Sequence, residues 1–249
     1  MFAKYVISLR RFFTARKLGF FFLRTKDFLP PTSISIANKN YKIFIPQEKG
    51  ISELFRDIIL DDEYWLKCIP VHEVKTILDV GANVGIFSIA ARIRFPKSKI
   101  IAFEPNTAVK PYLDQQAATF DFSVFYEAIG ANEGKGNLVT NTGCDTAARI
   151  SPSVKGEVTI TSLSRAMDKF EQKSIDLLKL DCEGFEHQII DNNGQNGPLV
   201  NCRYLSMEYH FGHEMERNHI IQKLEKIGFQ VLKSSHRNQV IGNILAKRL

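Results

Sequence analysis

From residue 76 onward, short runs rich in apolar and β-branched residues alternate with longer segments whose apolar side chains recur every three or four positions. The runs are Thr76–Val80, Lys99–Phe103, Ser123–Ala128, Ile175–Leu180 and Tyr204–Tyr209, and they read as strands covered on both faces. Helical spacing falls near Val84–Arg94, Thr107–Ala118, Glu186–Asn192 and Glu214–Ile227. This alternation predicts an α/β, Rossmann-like, doubly wound fold on a mostly parallel sheet. Two further runs, Gln230–Lys233 and Ile241–Ala246, bring the sheet to seven strands. Only Ser234 to Gln239 separate them, too few for a crossover, so a C-terminal antiparallel hairpin is expected. Between Gly134 and Val158 turn residues break the rhythm. There Leu138–Thr140 with Glu157–Thr161 reads as a small hairpin, in a loop placed to cover a substrate.

Two segments precede that body. Over residues 31–73, Ser33–Ile36 and Tyr41–Ile45 alternate apolar and polar positions about Asn38-Lys39-Asn40, a hairpin pattern. Ile51 to Cys68 follows as an acid-rich helical stretch. Residues 1–30 differ: Phe2, Tyr5, Phe12, Phe13, Phe20, Phe21, Phe22 and Phe28 are interleaved with cations. Pro30-Pro31 ends that segment, because proline cannot continue a helix and restricts its predecessor. The expected organisation is an N-terminal arm (1–30), a pre-domain (31–73) and a main domain (74–249).

The chemistry of the main domain is organised around Thr76 to Ser88, TILDVGANVGIFS. Gly81-Ala-Asn-Val-Gly85 interrupts the first strand run before a helix begins. Gly81 can take a backbone conformation other residues resist, and Gly85 permits close approach of a ligand or strand. The following helix aims its free N–H groups and positive dipole end at this loop. The dinucleotide fingerprint G-x-G-x-x-G, counted from Gly81, fails where Asn83 and Ile86 stand. Glu104 ends the second run 19 residues after Gly85, a spacing at which a carboxylate reaches both hydroxyls of a ribose.

In an open parallel sheet, ligands sit beyond the carboxyl ends of the strands. Those ends carry Gly81, Asn83, Gly85 and Glu104, then Asp181, Glu183 and Gly184, then Glu208, Tyr209 and His210. Asp181 and Glu183 suit activating or holding an acceptor hydroxyl, or ligating a divalent cation. His210, whose ordinary pKa is near neutrality, is the candidate general base, the alternative being a rim histidine bonded to Glu208 or Asp181. His213 completes an H-x-x-H, without the spacing of a strong metal site. Lys179 lies near, on the strand face opposite Leu180.

Three stretches, Asp79-Val-Gly-Ala-Asn-Val-Gly85, Ala102-Phe-Glu-Pro-Asn106 and Ile175-Asp-Leu-Leu-Lys-Leu-Asp-Cys-Glu-Gly-Phe-Glu186, together resemble the ordered motifs of class I S-adenosylmethionine-dependent methyltransferases. The Ala-Asn variant of the first is similar to the FkbM family within them. The resemblance spans roughly residues 74 to 210. It implies S-adenosylmethionine held by Asp79, Gly81, Asn83, Gly85, Glu104 and Pro105, with Ala128 and Ile129 against adenine. It also implies methyl transfer to an oxygen nucleophile, a hydroxyl of a sugar, glycan or natural product, for which Asp181, Glu183 and His210 at the rim are the candidate catalytic residues. Asp181-Cys-Glu-Gly184 departs from the N/D-P-P-aromatic motif of enzymes that methylate exocyclic base amines. The alternatives are a nicotinamide-dependent Rossmann oxidoreductase, which Glu104 would serve equally, and a nucleic-acid methyltransferase using the basic arm.

Composition changes the picture in one respect. At 249 residues and 44% hydrophobic, the chain can bury a full single-domain core. The formal charge of +6 belongs to the arm: residues 1–30 hold seven basic side chains and one acid, and the rest balances 26 of each. Such an arm fits an anionic membrane surface or a second subunit, so peripheral membrane contact and a homo-oligomer both stay open. Cys68, Cys144, Cys182 and Cys202 have neither zinc nor CxxC spacing and read as reduced thiols. No apolar run reaches bilayer length, and Arg10, Arg11, Arg16 and Lys17 break up any secretory signal. A cytoplasmic location, membrane-associated at most through the arm, is expected.

Overall fold

The arm begins as helix α1 (Phe2–Lys17), followed by a hairpin of β1 (Ser33–Ile36) and β2 (Lys39–Lys42). Its two-residue turn places Ala37 and Asn38 at φ 48° and 64°, the left-handed pair that matches the twist of flanking strands. Helix α2 (Lys49–Phe55) then runs into a π-helical turn, Arg56–Leu60, and short 3₁₀ turns at Leu66–Cys68 and Val71–Glu73. The single helix expected over Ile51–Cys68 is therefore broken. Ile58, Ile59 and Leu60 are all buried, and three consecutive positions cannot share one face of a regular α-helix. The structure is a computed structural model, and it describes residues 2–22, 28–140, 148–170, 174–192, 197–210, 214–236 and 241–249. Arg24, Lys26, Cys144 and His213 lie outside them.

The main domain continues with β3 (Thr76–Val80), α3 (Ile86–Arg94), β4 (Lys99–Phe103), α4 (Lys110–Phe120), β5 (Ser123–Phe125), β6 (Ala128–Gly130), β7 (Gly134–Val139), β8 (Arg149–Pro152), β9 (Val158–Ser162) and α5 (Leu163–Met167). It closes with β10 (Ile175–Leu180), α6 (Glu186–Asn192), β11 (Cys202–His210), α7 (Glu214–Ile227), β12 (Phe229–His236) and β13 (Ile241–Arg248). The central sheet has seven strands in the order β12-β13-β11-β10-β3-β4-β5. The five from β11 to β5 are parallel, and β13 runs antiparallel to both of its neighbours.

Strand alternation sorts the core into two layers. Ile77, Ala102, Leu177 and Tyr204 face the side covered by the arm, the pre-domain, α3 and α4. Leu78, Ile101, Leu178 and Leu205 face the other, against Leu163, Ile189 and Leu224. The chain winds outward from β3 to β4 and β5, and in the opposite direction from β10 to β11. The crevice at this reversal, past the carboxyl ends of β3 and β10, is where doubly wound sheets bind ligands.

Other local expectations change as well. The run Ser123–Ala128 is divided: β5 ends in the central sheet at Phe125, and β6 belongs to a second, four-stranded sheet of order β6-β9-β7-β8. Within it, Leu138 pairs with Ile150 of β8, while Val158 of β9 pairs with Gly136. One strand, β7, thus serves two partners, where a single hairpin with Glu157–Thr161 was expected. Part of the arm packs on the main body. Ala15, Leu18, Phe20 and Phe22 are buried in the core, Phe20 edge-on to Phe55, and Arg11 Nε donates to Asp61 Oδ1 at 2.8 Å. Among the described residues, no helix is long and apolar enough to cross a membrane, and Cys68, Cys182 and Cys202 are free thiols.

Candidate active site

β3 places Asp79 facing α3, where Ser88 Oγ donates to Asp79 Oδ2 at 2.7 Å. In the next strand Lys179 pairs in register with Asp79, so the two side chains project to the same face. Lys179 Nζ lies 3.5 Å from Asp79 Oδ1 and 3.4 Å from Asp181 Oδ2, and donates to the carbonyls of Val80 at 3.0 Å and Gly81 at 2.5 Å. Burial raises the Asp79 carboxyl despite the Lys179 charge. Burial also works against the Lys179 ammonium, but Asp181 and Asp79 outweigh it and hold its pKa above the ordinary lysine value. A buried cation thus ties the first glycine loop to the end of β10.

That loop is tightly specified. Gly81 has φ 77°, and a Cβ there would stand 1.8 Å from the carbonyl oxygen of Asp181. Gly85, at φ 83°, faces α4 rather than a ligand: a Cβ would meet Leu113 Cδ1 at 3.0 Å and Phe122 Cζ at 3.2 Å. Asn83 N–H donates to Glu104 Oε2 and Asn106 N–H to Glu104 Oε1, both at 2.7 Å. Burial nonetheless pushes the Glu104 carboxyl up to about 7. Each of its oxygens retains a lone pair for a further donor.

Beyond β10, Tyr64 from the pre-domain donates its hydroxyl to Asp181 Oδ2 at 2.8 Å, while Asp181 Oδ1 is buried with no hydrogen-bond partner. Glu186, at the start of α6, accepts from the N–H groups of Cys182 at 2.8 Å and Gly184 at 2.9 Å and so fixes the turn. Glu183 sits in that turn at φ 53°. His210, at the end of β11, points Nε2 at Glu183 Oε2, 3.2 Å away, and Nδ1 towards Glu186 Oε1 at 3.4 Å. Burial works against the imidazolium, yet the Glu186 contact and the Asp181 and Glu183 charges push His210 up to about 9. Burial, with the Asp181 charge, pushes Glu183 up to about 7.

A cavity of about 420 Å³ joins these groups. Gly81, Asn83, Glu104, Pro105, Ala128 and Ile129 line one part, and Asp181, Glu183 and His210 line it as well. Asp79 and Gly85 lie behind the wall. Glu53, Leu54 and Ile58 of the pre-domain and Ile150 and Ile160 of the small sheet complete it. Sequence reasoning missed those wall residues, Tyr64, and the central part of Lys179. The signal for the last was present: a lysine inside an apolar strand needs an anion, and Asp79 is a buried acid in an adjacent strand. Ligand atoms of Asp181, Glu183 and His210 lie within 4.8 Å of one another, close enough for one divalent cation to bridge them.

Residues 79–231 match the Methyltransferase FkbM domain. The chain belongs to the FkbM methyltransferase family. Membership of that family implies use of S-adenosylmethionine. Among its relatives is the methyltransferase sdnD of Sordaria araneosa, 27% identical across 55% of this chain and 66% of sdnD. A segment of the AMB antimetabolite synthetase AmbE of Pseudomonas aeruginosa is 28% identical, across 33% of this chain and 4% of AmbE. Neither match reaches two thirds of the relative's own length. The fibrillarin pre-rRNA processing protein of Methanococcus jannaschii shares the fold, with a TM-score of 0.51 at 14% identity over 91% of this chain and 86% of that one. The FkbM chain's cavity suits its family's cofactor. Its volume lies in the ~300–1,000 Å³ range of small-molecule sites, and Glu104 offers two acceptor oxygens at its wall.

Proposed function

We propose that this FkbM enzyme methylates a hydroxyl of a sugar, glycan or natural product. The observation that carries this reading is Asp181 Oδ1, a buried acceptor with no donor of its own in a residue lining the cavity. A hydroxyl group supplies the missing donor. The cofactor supplies an already activated methyl group, so the chain has to align the acceptor, exclude water and take one proton. Glu104 would accept from the ribose hydroxyls of the cofactor, and the Gly81 loop with the apolar Ala128 and Ile129 would hold the remainder. Asp181, steadied by Tyr64 and Lys179, holds one hydroxyl of the acceptor. Glu183, with a pKa near neutrality, takes the proton of the reacting hydroxyl. His210, with its pKa near 9, is already protonated at neutral pH, so its part is to hold Glu183 in place rather than act as the base. Two neighbouring carboxylates suit the adjacent hydroxyls of a polyol.

The acids on the wall, among them Glu53, Glu127 and Glu208, favour an uncharged acceptor over a phosphate backbone. The similarity to a segment of an antimetabolite synthetase supports a small-molecule acceptor. Proton removal by Glu183 is preferred to a bridging cation because His210 Nε2 already lies against Glu183 Oε2 at 3.2 Å. The test is a search for a 14-unit mass gain, the addition of one methylene, over sugars, glycans and polyketide-like alcohols. Glu183→Gln should lower kcat at least ~100-fold with little change in cofactor affinity, and excess EDTA should leave activity intact. Activity lost in EDTA and restored by magnesium would transfer Asp181, Glu183 and His210 to a metal. A Glu183→Gln enzyme with wild-type turnover would remove Glu183 as the base.

A further inference from the structure

Among its described side chains, the solvent-facing side of α1 carries an apolar stripe. Val6, Leu9 and Phe13 recur at i, i+3 and i+7 and are 50%, 55% and 65% exposed, and Phe21, just beyond the helix, is 68% exposed. A surface helix ordinarily turns such a stripe to the core. Here the opposite side, around Ala15 and the Arg11–Asp61 ion pair, already makes the inward contact. The cations beside the stripe, Arg10, Arg16 and Lys17, are exposed, and no acid occurs anywhere in α1. The Arg16 guanidinium lies 5.0 Å from the centroid of the exposed Phe21 ring, joining the charge to the apolar surface.

We propose that this face of α1 docks on an anionic membrane surface. Val6, Leu9, Phe13 and Phe21 enter the boundary between headgroups and acyl chains, and Arg16 and Lys17 meet acidic headgroups. Charge decides the occupant. A second copy packed through the same face would set like cations against one another, with no acid on the helix to answer them. An anionic bilayer answers both the charge and the stripe. Because α1 packs on the Arg56–Leu60 segment, which supplies Ile58 to the cavity wall, the cavity is carried to that surface with it. The inference does not depend on which hydroxyl compound the enzyme methylates.

The experiment is co-sedimentation of the full chain with vesicles of phosphatidylcholine alone and of phosphatidylcholine with about 30% phosphatidylserine, in roughly 100 mM and 500 mM salt. The chain should pellet with the anionic vesicles at low salt and leave them at high salt. Arg16→Gln with Lys17→Gln should weaken partitioning about 30-fold, at roughly fivefold per cation. Leu9→Ser with Phe13→Ser should abolish it, and these exposed changes should leave the circular dichroism spectrum unaltered. Binding no better to anionic than to neutral vesicles overturns the proposal, as does wild-type partitioning by both variants. A dimer in light scattering that Phe13→Ser dissociates, with no vesicle binding, also overturns it and gives the face to a second copy.

Discussion

Lys179→Met keeps most of the side chain's volume and removes the ammonium that Asp79 and Asp181 share. Breaking a buried ion pair by deleting one partner costs about 3–5 kcal/mol, because the remaining charge is stranded away from water. The carbonyls of Val80 and Gly81 lose a donor as well. Ser88 still donates to Asp79, and a stranded carboxyl can take up a proton, so the lower part of that range is expected. Against a typical total of ~5–15 kcal/mol, urea unfolding should register the loss as a large fall in midpoint. The pH dependence has a definite sign. Without Lys179, the Asp79 pKa rises further above its unfolded value, so the variant's stability is greatest below that pKa and is lost as pH rises through it. The gap between wild type and variant should therefore narrow from about pH 7.5 to pH 5. A loss under about 1 kcal/mol near neutral pH, or a gap that widens in acid, would refute the claim that this cation holds the loop to β10.

Gly81→Ala forces a Cβ against the Asp181 carbonyl at a left-handed φ, so it should lower the melting temperature by several degrees and abolish cofactor binding. A wild-type melt and affinity would show that the loop has slack the geometry does not allow. Tyr64→Phe removes the donor to Asp181 Oδ2 and should cut kcat by about tenfold, leaving cofactor affinity unchanged. Equal losses in kcat and cofactor affinity would mean that Tyr64 supports the whole cavity rather than the acceptor side.

Strands such as Thr76–Val80 and Ile175–Leu180 were legible because burial on both faces demands continuous apolar runs, and glycines or acids end them sharply. Glu104, Asp181, Glu183 and His210 were legible as neighbours because parallel strands bring their carboxyl ends to one rim. What a linear reading lacks is register and reach. The Lys179–Asp79 pairing depends on how β10 aligns with β3, almost a hundred residues apart in the chain. Tyr64 reaches Asp181 from a pre-domain whose sequence carries no motif. The division of Ser123–Gly130 between two sheets depends on partners, β7 to β9, that follow it. The raised pKa of His210 reflects its Glu186 contact and the charges of Asp181 and Glu183, whereas the sequence offered Glu208 or Asp181 as its partner.

The claim that the Gly81 and Glu104 half of the cavity binds S-adenosylmethionine is tested most directly by titration calorimetry of wild type and Glu104→Gln at pH 6 and pH 8. Ribose hydroxyls donate to the ionised carboxylate, so below the free pKa of about 7 binding must expel a proton. Wild-type affinity should rise about tenfold from pH 6 to pH 8, and the glutamine variant, which controls for titration of the ligand itself, should lack that rise. The same pH dependence in both proteins, or saturation of the wild type by NAD instead, would contradict the account.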